Sequence, residues 1–176
     1  MQNNEIQFTL LIVFLSLVVS YSIYLVFDFS FMWAFKKKVN VSKKQINILI
    51  FQKAEVLYSL YENLKEVINE DSKIKVFFDE QEFITYKEID PEKFQMIYIK
   101  FDELYKEYVQ IMMHNKIDDP KKIKQKFNLI EDINKRYFSS SQLYNSNVVG
   151  FNYWRNLFLT KWFKKMCGIK EIELIS

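Results

Sequence analysis

The sequence predicts an all-α protein with one N-terminal transmembrane helix, followed by a small antiparallel bundle of three to four helices with coiled-coil-like seams. Only two Gly and two Pro occur among 176 residues, which disfavours glycine-rich loops and folds with many turns. A charge-free apolar run lies near the N-terminus, and apolar residues recur at helical spacing over most of the remaining chain. The single Cys167 excludes an intrachain disulfide framework and a zinc site built on cysteines.

Residues 8–27 form the apolar run and contain no charge, Gly or Pro. At 1.5 Å per residue, a helix of this length covers about 30 Å, the hydrocarbon thickness of a bilayer. The run therefore predicts a transmembrane helix, with a core helix or a re-entrant segment as alternatives. A secretory signal peptide is disfavoured because residues 1–5 hold no Lys or Arg and no small-x-small cleavage site closes the run. Ser16 and Ser20 form a small-xxx-small pair, for which we favour a simple anchor over helix packing.

Aromatic and basic residues follow the apolar run in the order typical of a membrane boundary. Trp33 lies among several Phe residues, and Lys36, Lys37 and Lys38 follow it closely in the sequence. We interpret these four residues as the membrane anchor. We interpret the nearby Asp28 as interfacial, where headgroup water still solvates its carboxylate.

Lysines on only one side of the run predict its orientation. No basic residue precedes the run, so the positive-inside rule places the carboxyl-terminal side in the cytoplasm of the cell and residues 1–5 outside. We therefore divide the chain into a tail, transmembrane helix and aromatic belt over 1–35, and a cytoplasmic helical domain over 36–176. The expected location is the cell membrane, with lipid as the first partner.

The first helix of the cytoplasmic domain is predicted to begin at Ser42, whose hydroxyl caps it, and to run to Glu70. Its apolar seam is interrupted only by Lys53. Residues 71–89 fit a hairpin or two short helices, and we favour helical continuation with a break near Asp79.

Two further helices have clear starting signals. Asp90-Pro91 and Asp119-Pro120 each place Asp at a cap and Pro in the first turn, where the missing N–H has no helical partner. Residues 139–150 are polar and serine-rich and are predicted to form the one substantial loop.

A last helix is predicted from Phe151 to Met166, with Trp and Phe interleaved with Lys. Such a basic, aromatic and amphipathic helix is typical of the membrane interface. In the alternative interpretation, the aromatic residues complete the bundle core. The candidate lipid-contacting residues are Trp154, Phe158, Trp162, Lys161, Lys164 and Lys165.

The sequence offers no catalytic motif, and we expect no enzymatic activity, cofactor or metal. His114 is the only histidine and forms no recognisable triad or metal pair. Nucleic acid is not expected as a partner, because the lysines after residue 44 are dispersed among acidic residues.

We therefore expect a single-pass, membrane-anchored scaffold or interaction module, or a small subunit of a membrane assembly. Its partner would be another protein, bound through helix pairing, with a homo-oligomer as one form of such pairing. The alternative is a membrane-bound enzyme or toxin whose site gathers acids such as Asp79, Glu80, Asp118 and Asp119.

Overall fold

A computed structural model describes residues 2–68, 72–79, 89–114 and 120–175. Within these ranges the chain is helical and contains no strand, so the predicted all-α class is confirmed, with a long apolar N-terminal helix and helices packed on one another. The helices are α1 (Gln2–Leu64), α2 (Lys73–Asp79), α3 (Pro91–His114), α4 (Pro120–Arg155) and α5 (Phe158–Met166).

Helix α1 continues through Ser42 without a break, so the predicted helix start at Ser42 is wrong. No Gly or Pro occurs between residues 2 and 64, and a helix without an interruption needs no internal cap. The helix ends at Leu64, before the predicted end at Glu70, and the N–H groups of Val67 and Ile68 both donate to the Leu64 carbonyl. The single helix therefore carries both the apolar run and the first seam of the bundle.

Helix α3 begins at Pro91, as the Asp90-Pro91 signal predicts, and α4 begins at Pro120. Residues 80–88 lie outside the described part of the chain, as do residues 115–119 with the Asp119 cap. Helix α2 covers Lys73–Asp79, so the predicted break near Asp79 falls at the edge of the described residues and stays a prediction. The predicted helical continuation into this segment is wrong, because α1 ends at Leu64 and α2 begins only at Lys73.

The predicted loop over 139–150 is wrong, because α4 continues through it to Arg155. Ser140, Tyr144 and Val148 are buried at four-residue spacing, so this segment carries its own inward face. The Ser139 hydroxyl donates to the Lys135 carbonyl at 3.1 Å, a bond that lets serine sit inside a helix.

Two compact units can be distinguished along the chain. One consists of residues 1–38 and 147–172, and the other of residues 39–146 and 173–176. We call them the anchor unit and the bundle unit. The predicted division at residue 36 concerns where the chain leaves a bilayer and stays a prediction.

The core of the bundle unit combines the apolar seams of α1, α3 and α4 with the buried Ile74, Phe77 and Phe78 of α2. Its tyrosine Tyr108 is fully buried and donates a hydrogen bond to the Leu57 carbonyl at 3.0 Å, which ties α3 to α1. Apolar residues at three- and four-residue spacing are buried along α1, α3 and α4, namely Ile46, Ile50, Leu57, Leu60, Leu64, Phe94, Ile97, Phe101, Leu104, Tyr108, Ile123, Ile130, Ile133 and Tyr137.

Candidate membrane interface

The apolar segment of α1 is exposed over most of its length. Every residue from Phe8 to Ile23 is exposed, and α1 is the one helix in the described ranges that is long and apolar enough to cross a membrane. The Ser16 and Ser20 hydroxyls donate to the Val13 and Ser16 carbonyls, both at 2.8 Å. Since these hydroxyls are satisfied within α1, they do not require a second helix.

The predicted anchor residues follow on the same helix. Trp33 is exposed, and the Lys36 ammonium lies 4.8 Å from the centre of its ring. Lys37 and Lys38 are also exposed. The arrangement gives the end of the apolar segment an aromatic surface with positive charges beside it, as an interface with anionic headgroups requires.

Helix α5 has the reverse of the polarity expected for a helix on a water-soluble protein. Its two buried residues are polar, Thr160 and Lys164. Its exposed residues include Phe158, which is 91% exposed, and Trp162, which is 65% exposed. The alternative in which these aromatic residues complete the bundle core does not hold for Phe158 and Trp162.

The buried side of α5 is organised around Asp28 of α1. The Lys164 ammonium donates to Asp28 Oδ2 at 2.5 Å, and the Thr160 hydroxyl donates to the same oxygen. Lys164 also donates to the Trp154 carbonyl and lies 5.5 Å from the Phe29 ring centre. Asp28 and Lys164 are at most 1% exposed, so they form a closed ion pair.

Two of the sequence interpretations therefore need correction. Asp28, expected to be solvated at the interface, is buried, because a specific ammonium and hydroxyl replace its water. Lys164, expected to lie among the exposed basic residues, faces inward for the same reason. Lys161 and Lys165 remain exposed, and Trp154 is half-buried against Phe31, with the ring centres 4.8 Å apart.

The predicted last helix from Phe151 to Met166 is wrong as a single element, because α4 extends to Arg155 and α5 begins at Phe158 after a short break. Leu157 has extended backbone angles, φ −55° and ψ 128°, which end the helical path after Arg155. Arg155 donates to the Ile169 carbonyl at 2.9 Å and pairs with Glu171 at 3.1 Å. The Asn152 side-chain amide donates to the Ile172 carbonyl and accepts a hydrogen bond from the Ile172 N–H. These bonds hold the chain after α5 against the end of α4. Helix α5 therefore lies between two segments that are bonded to each other.

A second buried charge, the Lys53 ammonium, lies in the bundle unit. From the sequence, Lys53 was recognised as an interruption of an apolar seam but not as a site. The Lys53 ammonium is fully buried, 3.6 Å from Asp102 Oδ1 and 3.8 Å from the Tyr98 ring centre. Burial lowers its pKa from 10.5 to about 8, and the Asp102 carboxylate opposes this change. The Tyr98 ring stacks on Tyr137 at 3.8 Å.

Of the residues considered for catalysis, only His114 has its side chain within the described part of the chain. Glu80, Asp118 and Asp119 lie outside the described ranges, as does the side chain of Asp79. His114 is exposed, and its Nδ1 lies 2.8 Å from the Gln110 carbonyl one turn earlier. Among the described residues no group of three or more His, Cys, Asp or Glu is arranged to hold a metal ion.

Comparisons with protein-family models, with curated proteins and with solved structures found no match to this chain.

Proposed function

We propose that the protein is a single-pass membrane protein whose cytoplasmic helical bundle holds another protein at the membrane. The observation that carries the proposal is a single helix, α1, with an exposed apolar segment at one end and a buried bundle seam at the other. Sixteen successive exposed residues from Phe8 to Ile23 are costly in water and favourable in lipid. The bundle would thus be tethered to the bilayer by its own first helix.

The orientation rests on charge. Exposed Lys37 and Lys38, with Lys36 beside Trp33, follow the apolar segment, and Lys43 and Lys44 come within two further turns. Moving this group across the bilayer would be unfavourable, and an anionic inner leaflet attracts it. We therefore place the bundle unit in the cytoplasm.

The proposed partner contact rests on a second apolar stripe of α1, within the bundle unit. Val41, Ile48 and Phe51 follow a seven-three spacing, which sets them on one face of the helix. All three are exposed, Ile48 by 58%. Because this spacing matches a coiled-coil seam, the stripe suits pairing with one helix of a partner or of a second copy.

Affinity purification from detergent-solubilised membranes tests the proposed function. We expect a stoichiometric partner, or a homo-oligomer, that is lost in the variant Ile48→Glu/Phe51→Glu. Met96→Glu is the matched control, because Met96 is an exposed apolar residue on another helix, α3. A lone monomer that converts a substrate would overturn the scaffold proposal and favour the enzyme or toxin alternative.

A further inference from the structure

We propose that α5 is a second membrane-contacting element, held in the bilayer interface beside the α1 segment by the buried Asp28–Lys164 pair. This proposal rests on the membrane anchoring of α1. It adds the exposed face of α5 as a second surface in contact with lipid. Its occupant is a phospholipid monolayer at the boundary between acyl chains and headgroups. Four observations within the anchor unit carry it.

The first observation is the level at which α5 meets α1. The Tyr21 hydroxyl donates to the Leu159 carbonyl at 3.1 Å, and Thr160 and Lys164 both bond to Asp28. Helix α5 therefore contacts α1 between residues 21 and 28, from the last two turns of the apolar run to the residue directly after it, a length of about 10 Å. Interfacial helices lie at about this depth, 5–10 Å into the boundary of headgroups and acyl chains.

The second observation is the direction of the apolar face. Phe158, Trp162 and Met166 recur every four residues and are all exposed. The part of α1 that α5 contacts adjoins in sequence the exposed apolar residues from Phe8 to Ile23. Helix α5 buries the polar Thr160 and Lys164 against α1 and turns its aromatic residues outward. This arrangement is stable where the medium outside the helix is less polar than the contact with α1.

The third observation is the closed charge pair. Lys164 and Asp28 neutralise each other, and Lys164 is also bonded to the Trp154 carbonyl. No described residue donates to the remaining oxygen, Asp28 Oδ1. Without Lys164, the Asp28 carboxylate would be a single charge at the edge of the apolar run, so the pair both permits and fixes the contact between α5 and α1.

The fourth observation is the position of the remaining basic residues. Lys161 and Lys165 of α5 are exposed, and Lys161 directly precedes the exposed Trp162. Long lysine side chains at this level reach phosphates while their methylene groups remain near the apolar boundary. An anionic phospholipid therefore matches both the charge and the aromatic surface of the helix.

Tryptophan quenching in the full-length protein, reconstituted into vesicles of phosphatidylcholine and phosphatidylglycerol, tests the proposal. The chain has three tryptophans, so Trp33→Phe/Trp154→Phe leaves only Trp162, and Trp154→Phe/Trp162→Phe leaves only Trp33. We expect Trp162 to lose most of its fluorescence with lipids brominated near the top of the acyl chain and to be shielded from aqueous iodide. Quenching of Trp33 but not Trp162 would overturn the α5 proposal alone. Absence of quenching at both would overturn the anchoring on which it rests.

A charge exchange tests the role of the ion pair. Asp28→Asn in the Trp162-only protein should abolish the lipid quenching of Trp162, and in the Trp33-only protein it should leave Trp33 unchanged. The exchange Asp28→Lys/Lys164→Asp should restore the Trp162 quenching. Undiminished quenching in Asp28→Asn, or no recovery in the exchange variant, would show that the pair does not hold α5 in the interface.

Discussion

Replacing Lys53 with Met should stabilise the bundle unit at neutral pH. The pKa of the buried Lys53 ammonium is lowered from 10.5 to about 8, and a pKa difference of about 2.5 corresponds to roughly 3 kcal/mol of unfavourable charge burial. Met has nearly the same length and needs no counter-charge, but it forfeits the contacts with Asp102 and the Tyr98 ring. We therefore expect the free energy of unfolding to rise by about 1–3 kcal/mol at pH 7.

The same pKa predicts how stability depends on pH. Below about pH 8 both the native and the unfolded chain keep the Lys53 proton, so the full cost is present. Between about 8 and 10 the native chain releases the proton while the unfolded chain keeps it, and stability rises with pH. Burial also raises the pKa of Tyr98 and Tyr137, so above about pH 10 the unfolded chain ionises first and stability falls.

Urea unfolding of the full-length protein in detergent micelles measures both effects, with amide hydrogen exchange in α3 reporting on the bundle unit. The tryptophans all lie in the anchor unit and are not suitable reporters for this purpose. Asp102→Asn serves as the contrasting variant, because it leaves the Lys53 charge and removes its partner, and it should lower stability by about 1–2 kcal/mol. A destabilised Lys53→Met protein, or a wild-type protein equally stable at pH 7 and 9.5, would refute the reasoning.

Two other substitutions test packing and hydrogen bonding. A Cβ at Gly150 would lie within 3 Å of Phe35 ring atoms, so Gly150→Ala should destabilise the anchor unit by about 1–2 kcal/mol despite alanine's helix preference. Thermal unfolding monitored by tryptophan fluorescence measures this loss, and Phe35→Leu in the same protein should reverse it. Tyr108→Phe removes the bond to the Leu57 carbonyl and should cost about 1 kcal/mol in the urea experiment; an unchanged midpoint would contradict that bond's contribution.

The seams were predictable because apolar periodicity is a local property of the sequence. The regular spacing of Phe94 to Tyr108 in α3 was sufficient to identify its buried face, and Asp90-Pro91 was sufficient to identify its start. The path of α4 was not predictable in this way. Its segment 139–150 is rich in serine and contains Gly150, so local propensity favours a loop, while burial of its inward face favours a helix. Gly150 is explained by Phe35, whose ring leaves no room for a Cβ at this position.

The buried face of α5 in the candidate site was likewise not predictable from the local sequence. Helical spacing correctly sets Thr160 and Lys164 on one side of α5 and the aromatic residues on the other, but it cannot say which side faces the rest of the protein. That choice depends on Asp28, more than 130 residues earlier in the sequence. A single acid at the end of an apolar run and a single lysine on the polar face of a distant helix carry no joint signal in one sequence.

The most direct test of the account is the membrane sidedness of two engineered cysteines. In a Cys167→Ser background, a cysteine at Asn3 lies before the apolar run, and one at the exposed Ser139 lies in the bundle unit. We predict that a membrane-impermeant maleimide labels the Asn3→Cys protein in intact cells and labels the Ser139→Cys protein only after permeabilisation. Reversed labelling would contradict the proposed orientation, and labelling of both positions from one side would contradict the claim that α1 spans the membrane.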